Sequence, residues 1–207
     1  MALVKYNNNS ISAVTTTGLT TGDMVLIKEQ TFSNVANVGF VHGTSSVVFD
    51  NTYKTYIFSL LNLHPETNSV YPQFNFSTDS GSNYNVTKTS TSFFSYQGEA
   101  GDGHSVQYGT GTDLEQDTSY QKLTSSSTVG NLNDESMSGL LHVFDPSSSV
   151  FVKHFIARTM NPHHVETEVD SYFAGYGNTS SAINAINFQM SSGNMTGTIK
   201  MYGLNES

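Results

Sequence analysis

The chain has 207 residues, enough for one domain with a sizeable core; Ser, Thr, Asn and Gly fill 89 positions while charged residues account for only 12%. With 13 Phe, 11 Tyr and no Trp, a folded domain packed on Phe and Tyr is expected instead of a solvated disordered chain. A net charge of −9 argues against a phosphate backbone as partner, and the absence of Cys excludes disulfides, thiol catalysis and Cys-ligated zinc.

The N-terminus carries no apolar run of the length a signal peptide needs, and nothing along the chain approaches a membrane span, so a protein made without oxidative folding is expected. Residues 1–22 hold scattered apolar side chains (Leu3, Val4, Tyr6, Ile11, Val14) and end in Thr15-Thr16-Thr17-Gly18-Leu19-Thr20-Thr21-Gly22. Such a stretch cannot bury itself, and it reads as an extended arm whose apolar residues anchor it to a neighbour. From residue 23 to 207, β-branched and aromatic runs alternate with turn residues at the spacing of an all-β sandwich. Fourteen candidate strands, some expected to merge, cover 24–32, 35–41, 46–50, 53–63, 73–78, 84–88, 91–96, 105–109, 119–124, 137–144, 150–159, 165–173, 184–191 and 195–203.

Three hairpins are predicted. Phe74 and Phe76 alternate with Gln73, Asn75 and Ser77, and after Asp79-Ser80-Gly81-Ser82-Asn83 the pattern resumes at Tyr84 and Val86, giving a hairpin with one wet face. Leu140–Phe144 returns through Asp145-Pro146 as Val150–Arg158, which brings His142 and His154 within about one register step inside the most apolar hairpin. Ile186, Phe188 and Met190 turn at Ser192-Gly193-Asn194 into Ile199 and Met201. Tyr56–Leu63 is apolar on both parities, as a central strand covered on both faces would be, and only 179–185 has a helical character. Residues 97–118 read as one long loop rich in Gly and Asp.

Several constellations were weighed for chemistry. Gly101-Asp102-Gly103-His104 with Asp113, Glu115 and Asp117 offers oxygen ligands, but the spacing matches no calcium loop and a solvated polar loop is the better reading. His164, Glu166, Glu168 and Asp170 alternate along one strand face, as on a charged edge strand that resists pairing. His142 and His154 lack the further ligands that zinc needs, and Gly109-Thr110-Gly111 lacks the Lys-Ser/Thr of a phosphate cradle. Six Asn-x-Ser/Thr sequons follow from composition. No Gly-x-Ser-x-Gly elbow is present and no spacing identifies a tuned carboxylate pair, so no catalytic residue, metal or cofactor is expected. Tyr96, Asp102, His104, Tyr108 and Asp113 bracket the long loop and are the candidates for contacting a sugar, since glycan sites set aromatic faces beside carboxylates.

The opening Met1–Ser12, the run Asn62-Leu63-His64-Pro65-Glu66-Thr67, the turn Ser77–Thr87, the block Phe144-Asp145-Pro146-Ser147-Ser148-Ser149 with Val152–Thr159, and the ending Gln189–Asn194 with Gly197–Gly203 resemble small proteins of tailed phages infecting marine bacteria, including cyanophages. The resemblance spans nearly the whole chain. It implies a virion structural protein without catalytic motifs, of the capsid decoration, knob or tail-fibre type, assembled in the bacterial cytoplasm. The expected fold is a jelly-roll-like antiparallel β-sandwich with an extended N-terminal arm. The expected partners are its own copies (a homo-oligomer, taken as a trimer), other virion proteins and, in the alternative reading, a host-surface glycan; nucleic acid and membrane are not expected.

Overall fold

A computed structural model describes residues 24–101, 103–125, 127–163 and 167–205; the expected arm with Leu3, Val4, Tyr6, Ile11 and Val14, and also Asp102, lie outside them. Among the described residues there is no helix, and the chain forms thirteen strands: β1 (Met24–Val35), β2 (Asn37–Val41), β3 (Thr55–Pro65), β4 (Pro72–Ser77), β5 (Lys88–Gly98), β6 (His104–Tyr108), β7 (Glu115–Asp117), β8 (Gln121–Lys122), β9 (Met137–Phe144), β10 (Lys153–His163), β11 (Thr167–Gly177), β12 (Ala185–Met190) and β13 (Met195–Leu204). All pair antiparallel. The large sheet runs β1-β13-β3-β9-β10-β11-β5-β6, with β7 also on the free side of β5; the small sheet runs β2-β12-β4-β8.

The two sheets form a β-sandwich sealed by aromatic rings. On the large sheet, the inward parity carries Tyr56, Phe58 and Leu60 of β3, Leu141 and Val143 of β9, and Phe155 and Ala157 of β10. Phe40, Phe74, Phe76 and Phe188 face them from the small sheet, all essentially without solvent exposure. Phe58 meets Phe40 edge-on and Phe188 at a tilt, both at 5.4 Å between ring centroids, and Phe74 meets Phe155 edge-on at 5.3 Å. These separations lie in the favourable range for aromatic pairs. In a chain without Trp or Cys, such rings are what bind one sheet to the other.

Two of the three predicted hairpins are corrected. β9 and β10 do pair, with His142 opposite Ile156. β12 and β13 both exist but lie in different sheets, because residues 191–194 cross the sandwich instead of reversing within one sheet. Tyr84–Thr87 forms no strand. Asp79 gathers the turn, accepting from Ser77 Oγ at 2.6 Å, the Asn83 backbone N–H at 2.9 Å and Asn83 Nδ2 at 2.7 Å, and these bonds hold its carboxyl down at about 2. Beyond it the Asn75 side chain captures the returning backbone, while the edges of β4 belong to β12 and β8. The expected wet face of that hairpin is in fact covered, with Asn75 and Ser77 fully buried.

Other expectations also shift. Residues 46–50 form no strand although Val47 and Phe49 are buried, 119–124 shrinks to the short β8, and 179–185 holds no helix, being irregular up to the start of β12 at Ala185. The supposed loop 97–118 contains β6 and β7. β11 is an interior strand between β10 and β5, so Glu168 and Asp170 do not guard an edge; His164 and Glu166 lie outside the described residues. The outward side of β3 is less covered than a doubly buried strand would be: Leu61 is 40% exposed beside a bulge where Asn62 adopts a positive φ of 49°.

Candidate interaction face

The outward side of the large sheet is unusually apolar. One row of register partners crosses five strands: Leu140 on β9, Arg158 on β10, Tyr172 on β11, Phe93 on β5 and Tyr108 on β6. At about 4.8 Å per strand the row spans roughly 19 Å. The next row places His142, Ile156, Ala174 and Thr91 side by side. All of these except Tyr108 line a shallow concavity of about 460 Å³. Phe93 is 49% exposed and Ile156 46%, and Leu140 and Met160 are similarly open. A contiguous apolar patch of this kind is a mark of an interaction surface.

Local chemistry makes the row rigid and nearly neutral. Phe93 and Tyr172 stack with centroids 4.6 Å apart and planes 4° from parallel, while the Arg158 guanidinium lies 5.1 Å from the Tyr172 centroid. Arg158 donates through Nε and Nη2 to the two carboxylate oxygens of Asp170 at 3.1 and 2.8 Å, and the Tyr172 hydroxyl donates to Asp170 Oδ2 at 2.9 Å. The only charges in the row are thus paired, and the fork geometry orients Arg158 along the sheet. At the far end, the Tyr108 hydroxyl donates to Asp113 Oδ2 at 2.6 Å, which lowers the Asp113 pKa.

The five residues singled out for a sugar are therefore divided. Tyr108 and Asp113 meet directly, and His104 shares the outward parity of β6 with Tyr108. Tyr96 has the inward parity of Phe94, stacks beside it at 6.3 Å, and lines a separate hollow with Val169. Asp113 also borders a polar cleft of about 570 Å³ with Asp117, Ser119, Tyr120 and Lys122. Phe93, Arg158 and Tyr172 were missed. Their signal was a second apolar parity in strands that already had a complete inward face.

The histidine pair is corrected as well. His154 is exposed, because Lys153 and Phe155 take the inward positions on either side of it, and His142 is half-buried on the outward face. His64, His104 and His163 lie at or within one residue of the ends of β3, β6 and β10. Among the described residues no group of three or more His, Asp or Glu side chains is placed to hold a metal ion. Burial lowers the His142 pKa from 6.5. The unfolded imidazole then takes up its proton first, so stability present above about pH 6.5 is lost as pH falls toward the folded value. Melting temperature measured from about pH 7.5 to 5 should fall more steeply for the native chain than for His142→Gln, carboxylates acting lower, near pH 4. Parallel curves would contradict the assignment.

Compared with models of known protein families and with curated proteins, the chain matches none.

Proposed function

We propose that this is a non-enzymatic structural protein of a tailed-phage particle, a capsid decoration, knob or tail-fibre component that assembles as a homotrimer through the outward face of its large sheet. The observation that carries the reading is the Leu140–Arg158–Tyr172–Phe93–Tyr108 row with Ile156 beside it: rich in exposed apolar side chains, stiff, and with Arg158 paired to Asp170. A chain of net charge −9 repels its copies, but the stretch of this face from Leu140 to Phe93 carries its charge as a closed Arg158–Asp170 pair, so contact between copies there strands no ion. The Ser-, Thr- and Asn-rich composition and the resemblance of the N-terminal segment support a particle component held by its first 22 residues.

Sedimentation equilibrium should find three copies of the 22.5 kDa chain at micromolar concentration, and Leu140→Glu with Ile156→Glu should return it to one copy with an unchanged circular dichroism spectrum. A native chain that stays monomeric, or a charged variant that still trimerises, overturns the assembly.

A second reading, a glycan-binding module, is favoured by the Tyr108–Asp113 pair, an exposed ring and a carboxylate at the rim of the polar cleft. Chromatography on host polysaccharide separates the two readings: in the glycan reading the native chain is retained and Tyr108→Ala is not, and in the structural one the native chain itself passes unretained.

A further inference from the structure

Two lysines sit in the interior, and one of them faces an amide. Lys88 opens β5 in the large sheet and Asn75 lies in the middle of β4 in the small sheet; both are fully buried. Lys88 Nζ donates to Asn75 Oδ1 at 2.5 Å and to the Val86 carbonyl at 2.7 Å. Those two acceptors match the two N–H bonds of a neutral amine and leave its lone pair unspent, whereas an ammonium would carry a third proton. Burial favours the neutral form, lowering the Lys88 pKa to about 7 against the opposing charge of Asp117, its register partner on β7. Lys153, the other buried lysine, donates only to the Phe151 and Thr179 carbonyls and meets no amide.

The Asn75 amide is fixed on every side. Its Nδ2 donates to the Tyr84 carbonyl at 2.7 Å and the Thr118 carbonyl at 2.9 Å, and its Oδ1 also accepts the Phe76 backbone N–H at 2.8 Å. The carbon that an amine would attack, Cγ, lies one carbonyl bond of about 1.2 Å behind Oδ1. A nucleophile held by packing against an immobile electrophile gains the advantage of proximity, and a backbone N–H on the carbonyl oxygen stabilises the charge that develops there.

We propose that Lys88 and Asn75 form an intramolecular isopeptide bond that joins the two sheets. The Lys88 amine attacks Asn75 Cγ, the new C–N bond forms as the oxygen gathers charge against the Phe76 N–H, and the bond from Cγ to Nδ2 breaks. The proton shed by the attacking nitrogen ends on the departing one, which leaves as ammonia; no oxidant or cofactor enters. Asp117 is the carboxylate whose charge reaches Lys88, and the carbonyl of the next residue, Thr118, holds the departing nitrogen. The product is a covalent staple between the sheets that reducing agents cannot open.

The test is the intact mass of the purified full-length chain after standing folded at mildly alkaline pH. The native protein should be lighter than its sequence by the mass of one ammonia, and fragmentation should place the loss on a branched peptide joining Asn75 to Lys88. Lys88→Arg and Asn75→Ala should each restore the full sequence mass. Because the reading comes from the native chain, a variant that fails to fold does not obscure it. A native mass equal to the sequence sum, an ammonia loss mapped to any other asparagine, or a loss that persists in Lys88→Arg overturns the proposal.

Discussion

Phe188→Ala should cost about 3–5 kcal/mol of folding stability, the range for deleting a fully buried ring, and lower the melting temperature by on the order of 10 °C for a chain of this size. Phe188 is 1% exposed and sits where three other rings converge: Phe58 at 5.4 Å, Phe40 at 6.2 Å and Phe74 at 6.3 Å. Phe58 belongs to the large sheet and the other two to the small one, so removal of the ring opens a cavity at the junction of the layers. Neither layer can collapse into that space without shifting whole strands. Phe151→Ala is the control: with 68% exposure it should change stability by no more than about 0.5 kcal/mol. Denaturant melts of both variants decide the matter, and equal losses would mean that the aromatic junction does not hold the sandwich together.

Gly109→Ala should cost about 3 kcal/mol, far more than Gly111→Ala two residues on. A methyl at position 109 would stand 2.0 Å from Ser125 Oγ, 2.2 Å from Ser92 Oγ and 2.7 Å from Thr112 Oγ1. Those buried hydroxyls form a closed set: Ser92 and Thr112 meet at 2.9 Å, Thr112 and Ser125 at 3.1 Å, and Thr112 Oγ1 donates to the Gly109 carbonyl at 2.8 Å. The added carbon forces them apart, and each buried hydroxyl left without a partner costs about 1–3 kcal/mol on top of the overpacking. Gly111 has a positive φ of 79° and open space around its Cβ direction, so alanine there meets only backbone strain of about 1 kcal/mol. Chemical denaturation of the two variants should separate them clearly. A loss at Gly109 no larger than at Gly111 would show that the hydroxyls can move aside.

The same glycine illustrates what could be read from the chain and what could not. The absent Lys-Ser/Thr distinguishes Gly109-Thr110-Gly111 from a phosphate cradle, yet nothing local says that Ser92 and Ser125 claim the space over Gly109. Period-two patterning located β4, β12 and β13, because alternation reports that a strand has two unlike faces. It does not report which sheet the strand joins. That is why Ile186–Met190 and Met195–Met201 were paired with each other when their partners lie on opposite layers. Asn75 looked like a surface residue because its neighbours Phe74 and Phe76 had the apolar parity; it is buried by segments 84–88 and 118–122, which close over β4 only in three dimensions. The interaction face was half legible. The chain singles out Tyr108 and Asp113 as candidates for contacting a sugar, but Phe93 and Tyr172 come beside Tyr108 through strand register alone.

The earliest and latest described strands are neighbours: β1 pairs with β13 from Met24↔Leu204 to Val35↔Met195, and β13 in turn pairs with β3. During synthesis, therefore, β1 and β3 emerge first and wait for a partner that is made last. At synthesis rates of about 5–20 residues per second the wait is on the order of ten seconds or more, much longer than a strand needs to find a partner once both are present. Throughout that interval the edge of β3 that β13 will take is open beside Phe58 and Leu60, and so is the whole of β1. Assembly of the sandwich is thus paced by translation, and a chain cut between residues 145 and 194 leaves β1 without its partner and one edge of β3 open to another molecule.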